Sequence, residues 1–103
     1  MDLLTDDLRS RLPPQHAQEA EGDPMVYACF RLPGTSLAWY PIEGQPEGDD
    51  FVFFGFASGP NAGFCTFRLS ELEAKTNLFG EPVERDASFT EGRLTDVVPA
   101  PDL

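Results

Sequence analysis

The sequence has few of the side chains that catalysis by imidazole or thiolate requires. Its 103 residues include one histidine, His16, and two cysteines, Cys29 and Cys65. A zinc site of the usual cysteine and histidine type uses about four ligands, so a single chain of this composition cannot build one. Each cysteine lies in an apolar run, where burial raises the pKa of a thiol and makes it inert. We therefore expect two reduced thiols rather than a disulfide, no nucleophilic triad, no metal and no cofactor.

Basic residues are also scarce. Lys and Arg number 7 against 18 Asp and Glu, which gives a formal charge of −11 at neutral pH. Such a surface repels phosphates and anionic lipid, so we expect no direct binding to nucleic acid and none to a membrane. It favours a basic protein partner, including one whose groove normally holds nucleic acid. The alternative is that the charge only keeps a small protein in solution.

Long apolar runs are missing as well. No run approaches the length of about 18 residues that predicts a membrane span. The N-terminal residues MDLLTDDLRSRLPP lack the basic region and apolar stretch of a signal peptide. We therefore expect a cytoplasmic protein. Its length is that of one domain, and 41% hydrophobic residues are enough for a core.

The spacing of apolar residues predicts an α+β fold: an antiparallel meander of four or five strands, with two or three short helices at one face or end. The first helix should cover 5–12, where leucines recur at every fourth position and two prolines follow. The predicted strands, joined by short turns that favour antiparallel pairing, are 25–32, 37–42, 51–57, 63–69 and 83–89.

A second helix is expected from Ser70 to residue 76 or 77, because Ser70 and Glu73 have the spacing of a capping box. Leu78 and Phe79 should anchor its far end. The strand at 51–57 is apolar on both sides, so it should lie centrally and be covered on both faces.

The whole chain reads as one domain. Residues 1–24 should hold the first helix and a polar connection, and residues 25–69 a four-stranded meander. Residues 70–98 should hold the second helix, the fifth strand and a terminal helical turn at 94–98. Residues 99–103 should form a tail. The stretch EGQPEGDD at 43–50 combines two glycines, a proline and four carboxylates. We expect a loop without regular structure there.

The carboxylates of that stretch, Glu43, Glu47, Asp49 and Asp50, are the first candidates for a function. Oxygen ligands at this density suit calcium or magnesium, although the spacing of an EF-hand is absent. A solvated loop and an acidic docking patch are the alternatives.

The second candidate group is Glu84, Arg85 and Asp86. In a strand, Glu84 and Asp86 would face one side and Arg85 the other. The two carboxylates could serve as general acid and base if burial separated their pKa values. Alternatively, Arg85 forms an ion pair with a carboxylate such as Glu43 and fixes the edge of the sheet.

The aromatic residues of the strands are the third candidates. Alternation puts Trp39 and Tyr40 on opposite faces of their strand, and it divides the phenylalanines of 51–56 in the same way. One set could form an exposed patch rimmed with carboxylates, which would bind protein. Alternatively, both sets are core, because helices or a dimer partner cover the second face.

The order of several short motifs resembles one bacterial family. Those motifs are LLT near the start, LP at the end of the first helix, DP before the first strand, WY at 39–40 with Glu43 after it, an acidic pair before FFG at 53–55, GF…F-x-LSEL at 63–72, and VERD at 83–86 with Phe89 behind it. From Leu3 to about Leu94 this order is similar to the domain of unknown function numbered 2958. The resemblance implies a context of plasmids, integrated elements and phages, and it implies no activity, cofactor or catalytic residue.

Three hypotheses follow. The first is a non-enzymatic interaction protein that binds a basic protein through an acidic surface with aromatic anchors and, in its sharpest form, mimics nucleic acid. Its candidate surface comprises Trp39, Tyr40, Glu43, Glu47, Asp49, Asp50, Glu84, Arg85 and Asp86. The second is a small enzyme or divalent-metal protein in which five of these carboxylates converge, namely Glu43, Asp49, Asp50, Glu84 and Asp86. The third is an accessory subunit that forms a homodimer through its sheet.

Overall fold

A five-stranded antiparallel sheet forms the centre of the computed structural model, which describes residues 3–13, 23–60 and 62–98. In chain order, the elements are α1 (Asp6–Arg11), β1 (Met25–Val26), β2 (Phe30–Arg31), β3 (Ala38–Glu47), β4 (Asp50–Ser58), β5 (Gly63–Arg68), α2 (Leu69–Glu73), β6 (Glu84–Arg85), β7 (Gly92–Arg93) and α3 (Leu94–Val97). The order in the sheet is β5-β4-β3-β2-β6, and β1 and β7 pair separately. The predicted α+β class is therefore confirmed.

The sheet carries a hydrophobic core on each side. We call the side of the sheet that packs with α1 the α1 face. Its buried residues are Leu3, Leu8, Leu12, Ala28, Phe30, Leu32, Trp39, Phe51, Phe53, Phe67, Leu72 and Val83. We call the opposite side, which packs with α3, the α3 face. Its buried residues are Val26, Cys29, Ala38, Tyr40, Ile42, Phe56, Leu94 and Val98. The expected coverage of strand 51–57 on both sides is confirmed, since Phe53 and Phe56 are buried in opposite cores.

Helix α1 forms where the sequence predicts it. The hydroxyl oxygen of Thr5 accepts a hydrogen bond from the N–H of Leu8 at 3.2 Å and caps the first turn. Asp6 and Asp7 occupy that turn, where the helix dipole favours negative charge. Leu8 is completely buried in the α1 face, so this short helix is held by its apolar stripe.

A β-bulge divides strand β3 into two halves. The register of the pairing between β3 and β4 shifts between Pro41 and Glu43, which places the bulge at Ile42. The strands approach so closely here that a Cβ atom on Gly55 would lie 2.2 Å from the carbonyl oxygen of Tyr40. Only glycine fits this position.

The prediction of an irregular loop at 43–50 is wrong. Strands β3 and β4 cover all of it except Gly48 and Asp49, which form the turn with Gly48 at a φ of +59°. Pairing with the apolar residues 51–54 extends β3 despite its weak strand propensity. Pro46 is tolerated because β2 pairs with β3 only at the far end, so the missing N–H breaks no second ladder.

The predicted strand at 25–32 is split into β1 and β2, which belong to different sheets. An uninterrupted strand would place Val26 and Ala28 on one face, but Val26 is buried in the α3 face and Ala28 in the α1 face. Between them, the N–H of Tyr27 donates to the carbonyl of Pro41 at 3.1 Å. This segment serves both cores, which simple alternation does not predict.

The later elements exist as predicted but have different bounds. Helix α2 begins before Ser70, and its first turn is closed by Glu71, whose Oε1 accepts from the N–H of Arg68 at 2.9 Å. The expected capping pair of Ser70 and Glu73 is therefore wrong. The strand expected at 83–89 is reduced to β6, and the helical turn expected at 94–98 is α3.

Two predicted segments fall outside the described residues. They are most of the polar connection at 15–23, which includes His16, and the tail at 99–103. None of the described helices has the length and apolar character that crossing a membrane requires.

We expect Gly55→Ala to lower the free energy of unfolding by about 2 to 3 kcal/mol, because the new methyl group meets the backbone of β3 rather than a movable side chain. Gly63→Ala is the matched control, since a Cβ atom at Gly63 meets nothing within 4 Å. It should change stability by less than about 0.5 kcal/mol. Urea denaturation followed by circular dichroism measures both, and equal losses would contradict this role of Gly55.

Candidate functional site

The carboxylates expected to converge lie apart. Glu43 is buried on the α3 face opposite Phe54, and Asp49 lies in the turn between β3 and β4. Glu84 lies on β6, at the edge of the sheet remote from β5. In the described ranges, no group of three or more His, Cys, Asp or Glu side chains is placed to hold a metal ion. The hypothesis of a carboxylate enzyme or metal protein therefore lacks the convergence that it requires.

Asp50 joins the start of α2 to β4. Its Oδ1 accepts from the N–H of Phe51 at 2.8 Å and of Ser70 at 3.1 Å, and its Oδ2 accepts from the Ser70 hydroxyl at 2.5 Å. The hydroxyl of Ser70, followed by these amides, lowers the pKa of Asp50 below its ordinary value. The neighbouring Glu47 pairs with Arg68. Both members of the acidic stretch therefore have structural partners.

Two further aspartates bind the hydroxyl and the N–H of one residue in the same way. Asp86 accepts from the hydroxyl of Ser88 at 2.6 Å and from its N–H at 3.0 Å. Asp23 accepts from the hydroxyl of Thr95 at 2.6 Å and from its N–H at 3.0 Å, which ties α3 to the start of β1. In each case the hydroxyl is the main cause of a lowered carboxyl pKa.

Arg85 does not pair with Glu43, and that predicted ion pair is wrong. Arg85 lies opposite Phe30 and therefore on the α1 face, whereas the register after the bulge puts Glu43 on the α3 face. Instead, Nη1 of Arg85 donates to the hydroxyl oxygen of Thr5 at 2.9 Å. The guanidinium thus joins β6 to the N-terminal cap of α1.

Trp39 and Tyr40 are core residues, with 8% and 1% of their surfaces exposed. Of the two alternatives for the aromatic strands, burial is the correct one for this pair, which therefore provides no surface anchor. An exposed ring occurs elsewhere, on β5. Phe64 is 55% exposed and stacks on Phe54 with the ring centroids 5.9 Å apart.

Leu78 and Phe79 are almost completely exposed, and the prediction that they anchor the end of α2 is wrong. Asn77 holds their turn, because its Oδ1 accepts from the N–H of Phe79 at 2.9 Å and of Glu81 at 3.0 Å. Its Nδ2 donates to the carbonyl of Pro33 at 2.9 Å, which ties the turn to the body of the protein. We call residues 77–81 the Asn77 turn.

A cavity of about 560 Å³ opens beside Arg85. Its polar wall includes Thr5, Arg11, Asp86 and Glu91, and its apolar wall includes Tyr27, Ala28, Ala87 and Phe89. Sequence reasoning missed this cavity because its walls come from three separated segments. The one signal in the sequence was Arg85 within the VERD motif.

Both cysteines are free thiols, as predicted. Cys29 is buried in the α3 face, and desolvation raises its pKa to about 11. Cys65 packs against the α1 face, and burial raises its pKa as well. Thiols with raised pKa values are poor nucleophiles at neutral pH, which argues against a cysteine enzyme.

We expect Ser70→Ala to raise the pKa of Asp50 towards its ordinary value, because the hydroxyl is the main cause of the lowering. A lowered carboxyl pKa in the folded state adds stability above the unfolded value of 3.8, and this stability is lost as the pH falls through the folded value. The variant should therefore be less stable than wild type at neutral pH, and the difference should shrink at acidic pH as the Asp50 carboxylate of the wild type becomes protonated.

Carboxyl-carbon NMR titration measures the pKa, and urea denaturation at both pH values measures the stability. Ser10→Ala is the control, because the Ser10 hydroxyl donates to the backbone carbonyl of Asp7. An unchanged Asp50 pKa in Ser70→Ala would contradict the assignment.

The profile of the family described as protein of unknown function (DUF2958) matches residues 3–98, which confirms the resemblance drawn from the order of motifs. Comparisons with curated proteins and with solved structures find no match. Because the profile covers almost the whole chain, this protein belongs to the DUF2958 family of proteins of unknown function.

Proposed function

We propose that this protein acts by binding a basic partner protein, with Leu78 and Phe79 as apolar anchors. The observation that carries the proposal is the Asn77 turn, which is held by hydrogen bonds and yet displays two large apolar side chains to solvent. Burying each of them would gain about 1.5 to 3 kcal/mol. Large apolar side chains that enter a partner's pocket commonly dominate the energy of an interface.

The charges around the Asn77 turn indicate the kind of partner. Residues 70–84 contain four exposed glutamates and one lysine, namely Glu71, Glu73, Glu81, Glu84 and Lys75. A pocket rimmed with Lys and Arg would complement them, and the net charge of −11 would speed the encounter. This surface retains Glu84 from the predicted set and replaces Trp39 and Tyr40 with exposed anchors.

The nucleic-acid mimic is the sharper form of this proposal. In it, the basic surface of the partner is one that normally binds DNA or RNA, and the acidic side chains of this protein take the place of phosphates. The net charge of the chain supports it. Nucleic acid and this protein would then compete for one surface.

We expect the double variant Leu78→Ser/Phe79→Ser to capture at least about tenfold less of a basic protein from host lysate than wild type does. The change removes apolar contacts only at the interface, because both side chains are exposed in the free protein. Phe64→Ser is the matched control, since it removes an exposed ring on β5 and should leave capture unchanged. Quantitative mass spectrometry of tagged bait measures capture.

The salt dependence of capture tests the role of charge, and competition by duplex DNA tests whether the protein mimics nucleic acid. Capture should weaken steeply between about 50 mM and 500 mM NaCl, because charge complementarity is screened. Displacement by duplex DNA would support the mimic. The proposal would be contradicted if wild type and the double variant captured equal amounts of the partner. It would also be contradicted if the amount captured did not change with the NaCl concentration.

A second candidate function is an accessory subunit that forms a homodimer through its sheet. Strand β5 favours it, because it lies at an edge of the sheet and carries the exposed Phe64. Light scattering should then give twice the 11.4 kDa of one chain, and Phe64→Glu should restore the mass of the monomer. A monomeric wild type would end this alternative.

A further inference from the structure

We propose that the cavity beside Arg85 binds a small molecule that carries one carboxylate or phosphate group on a planar apolar body. The site lies between α1, the segment that joins β1 to β2, and residues 85–91. The inference rests on the charges and walls of this cavity, so it does not depend on the proposed partner protein.

The charged groups of the cavity wall, Arg85 excepted, have partners of opposite charge. Arg11 contacts Glu91, with Nη1 and Oε2 2.6 Å apart, and it also contacts Asp7 at 3.2 Å. Asp86 is held by Ser88 and lies 3.5 Å from the Nε of Arg31. These groups therefore have little unsatisfied charge to offer a ligand.

Arg85 is different, because it forms no ion pair with any carboxylate of the described residues. Its Nη1 donates to the neutral hydroxyl of Thr5. A guanidinium has about five N–H donors, so most of them remain for a ligand. Its planar fork matches two oxygens of a carboxylate or phosphate, which makes such pairs geometrically specific.

Thr5 supplies a second donor at the same place. Its hydroxyl oxygen accepts hydrogen bonds from Arg85 and from the N–H of Leu8, so the hydroxyl hydrogen is left to donate. Thr5 and Arg85 both line the cavity. One anionic group could therefore be bound by the guanidinium and the hydroxyl together.

The net charge of −11 does not forbid an anion here. Exposed charges farther away than about 8 Å are largely screened at physiological salt. Within the wall, Arg11 and Arg85 balance Asp86 and Glu91. The local charge is thus neutral, and the unpaired guanidinium decides the sign of the preferred ligand.

The remaining wall indicates the body of the ligand. Tyr27 and Phe89 provide aromatic surface, and Ala28 and Ala87 provide small apolar contacts. The cavity volume of about 560 Å³ lies within the roughly 300 to 1,000 Å³ of ordinary small-molecule sites. A planar ring with a single acidic group fits this combination.

The experiment is an NMR titration of the ¹⁵N-labelled full chain with benzoate, phenyl phosphate, inorganic phosphate and neutral benzyl alcohol. We expect benzoate or phenyl phosphate to shift the amides of Thr5, Ala28 and Ala87 saturably. Whichever binds more tightly identifies the acidic group. Benzyl alcohol should bind at least about tenfold more weakly, since it cannot pair with the guanidinium.

Arg85→Gln should weaken binding of the better anion at least about tenfold, and Arg85→Lys should weaken it less, because lysine keeps the charge but lacks the fork. Arg9→Gln is the matched control, since Arg9 is exposed and lies over the ring of Phe51, outside the cavity wall. It should leave the affinity within about twofold.

Three outcomes would overturn the proposal: equal affinity for benzyl alcohol and for the better of the two aromatic anions, an Arg85→Gln variant that binds like wild type, or shifts scattered over the surface. The first comparison uses only wild-type protein, so it stands even if Arg85→Gln fails to fold. Inorganic phosphate that binds as tightly as phenyl phosphate would overturn the role given to Tyr27 and Phe89.

Discussion

The structure depends on one constraint: the hairpin of β3 and β4 must be apolar on both faces, because each face supports a separate core. On the α1 face, the ring of Phe53 contacts those of Phe30, Phe51 and Phe67 at centroid distances from 5.0 to 5.7 Å. Helices as short as α1 and α3 are unstable alone and form because each buries a leucine in one of the two cores. The bulge at Ile42 and the absent side chain of Gly55 let the two strands keep contact along their length.

The acidic residues of this protein serve two purposes that composition does not separate. Asp23, Asp50 and Asp86 each bind a hydroxyl and an N–H of one residue, and two of them connect elements distant in sequence. They resemble catalytic or metal-binding carboxylates in a sequence and are structural in the fold. The exposed glutamates near the Asn77 turn remain available to a partner. The positions of the acidic side chains, and not the net charge of the chain, therefore indicate which of them could contact a partner.

Sequence reasoning succeeded where local pattern decides the structure. The cap at Thr5 and the two-sided burial of β4 follow from short-range spacing, and both are observed. It failed where distant segments decide. The acidic stretch at 43–50 is strand because β4 pairs with it, and Ser70 meets Asp50 from 20 residues earlier rather than Glu73. Apolar residue type predicts that Leu78 and Phe79 anchor the end of α2, but in the described part of the chain no segment packs over them.

The neighbours Trp39 and Tyr40 lie in different cores, and Trp39 is the single tryptophan. Its indole is buried in the α1 face, so tryptophan fluorescence follows the packing of that core. Circular dichroism follows the backbone of both layers. If the two cores unfold at different temperatures, the fluorescence and circular dichroism transitions will not coincide. Their order will then show which core unfolds first, without an attached dye.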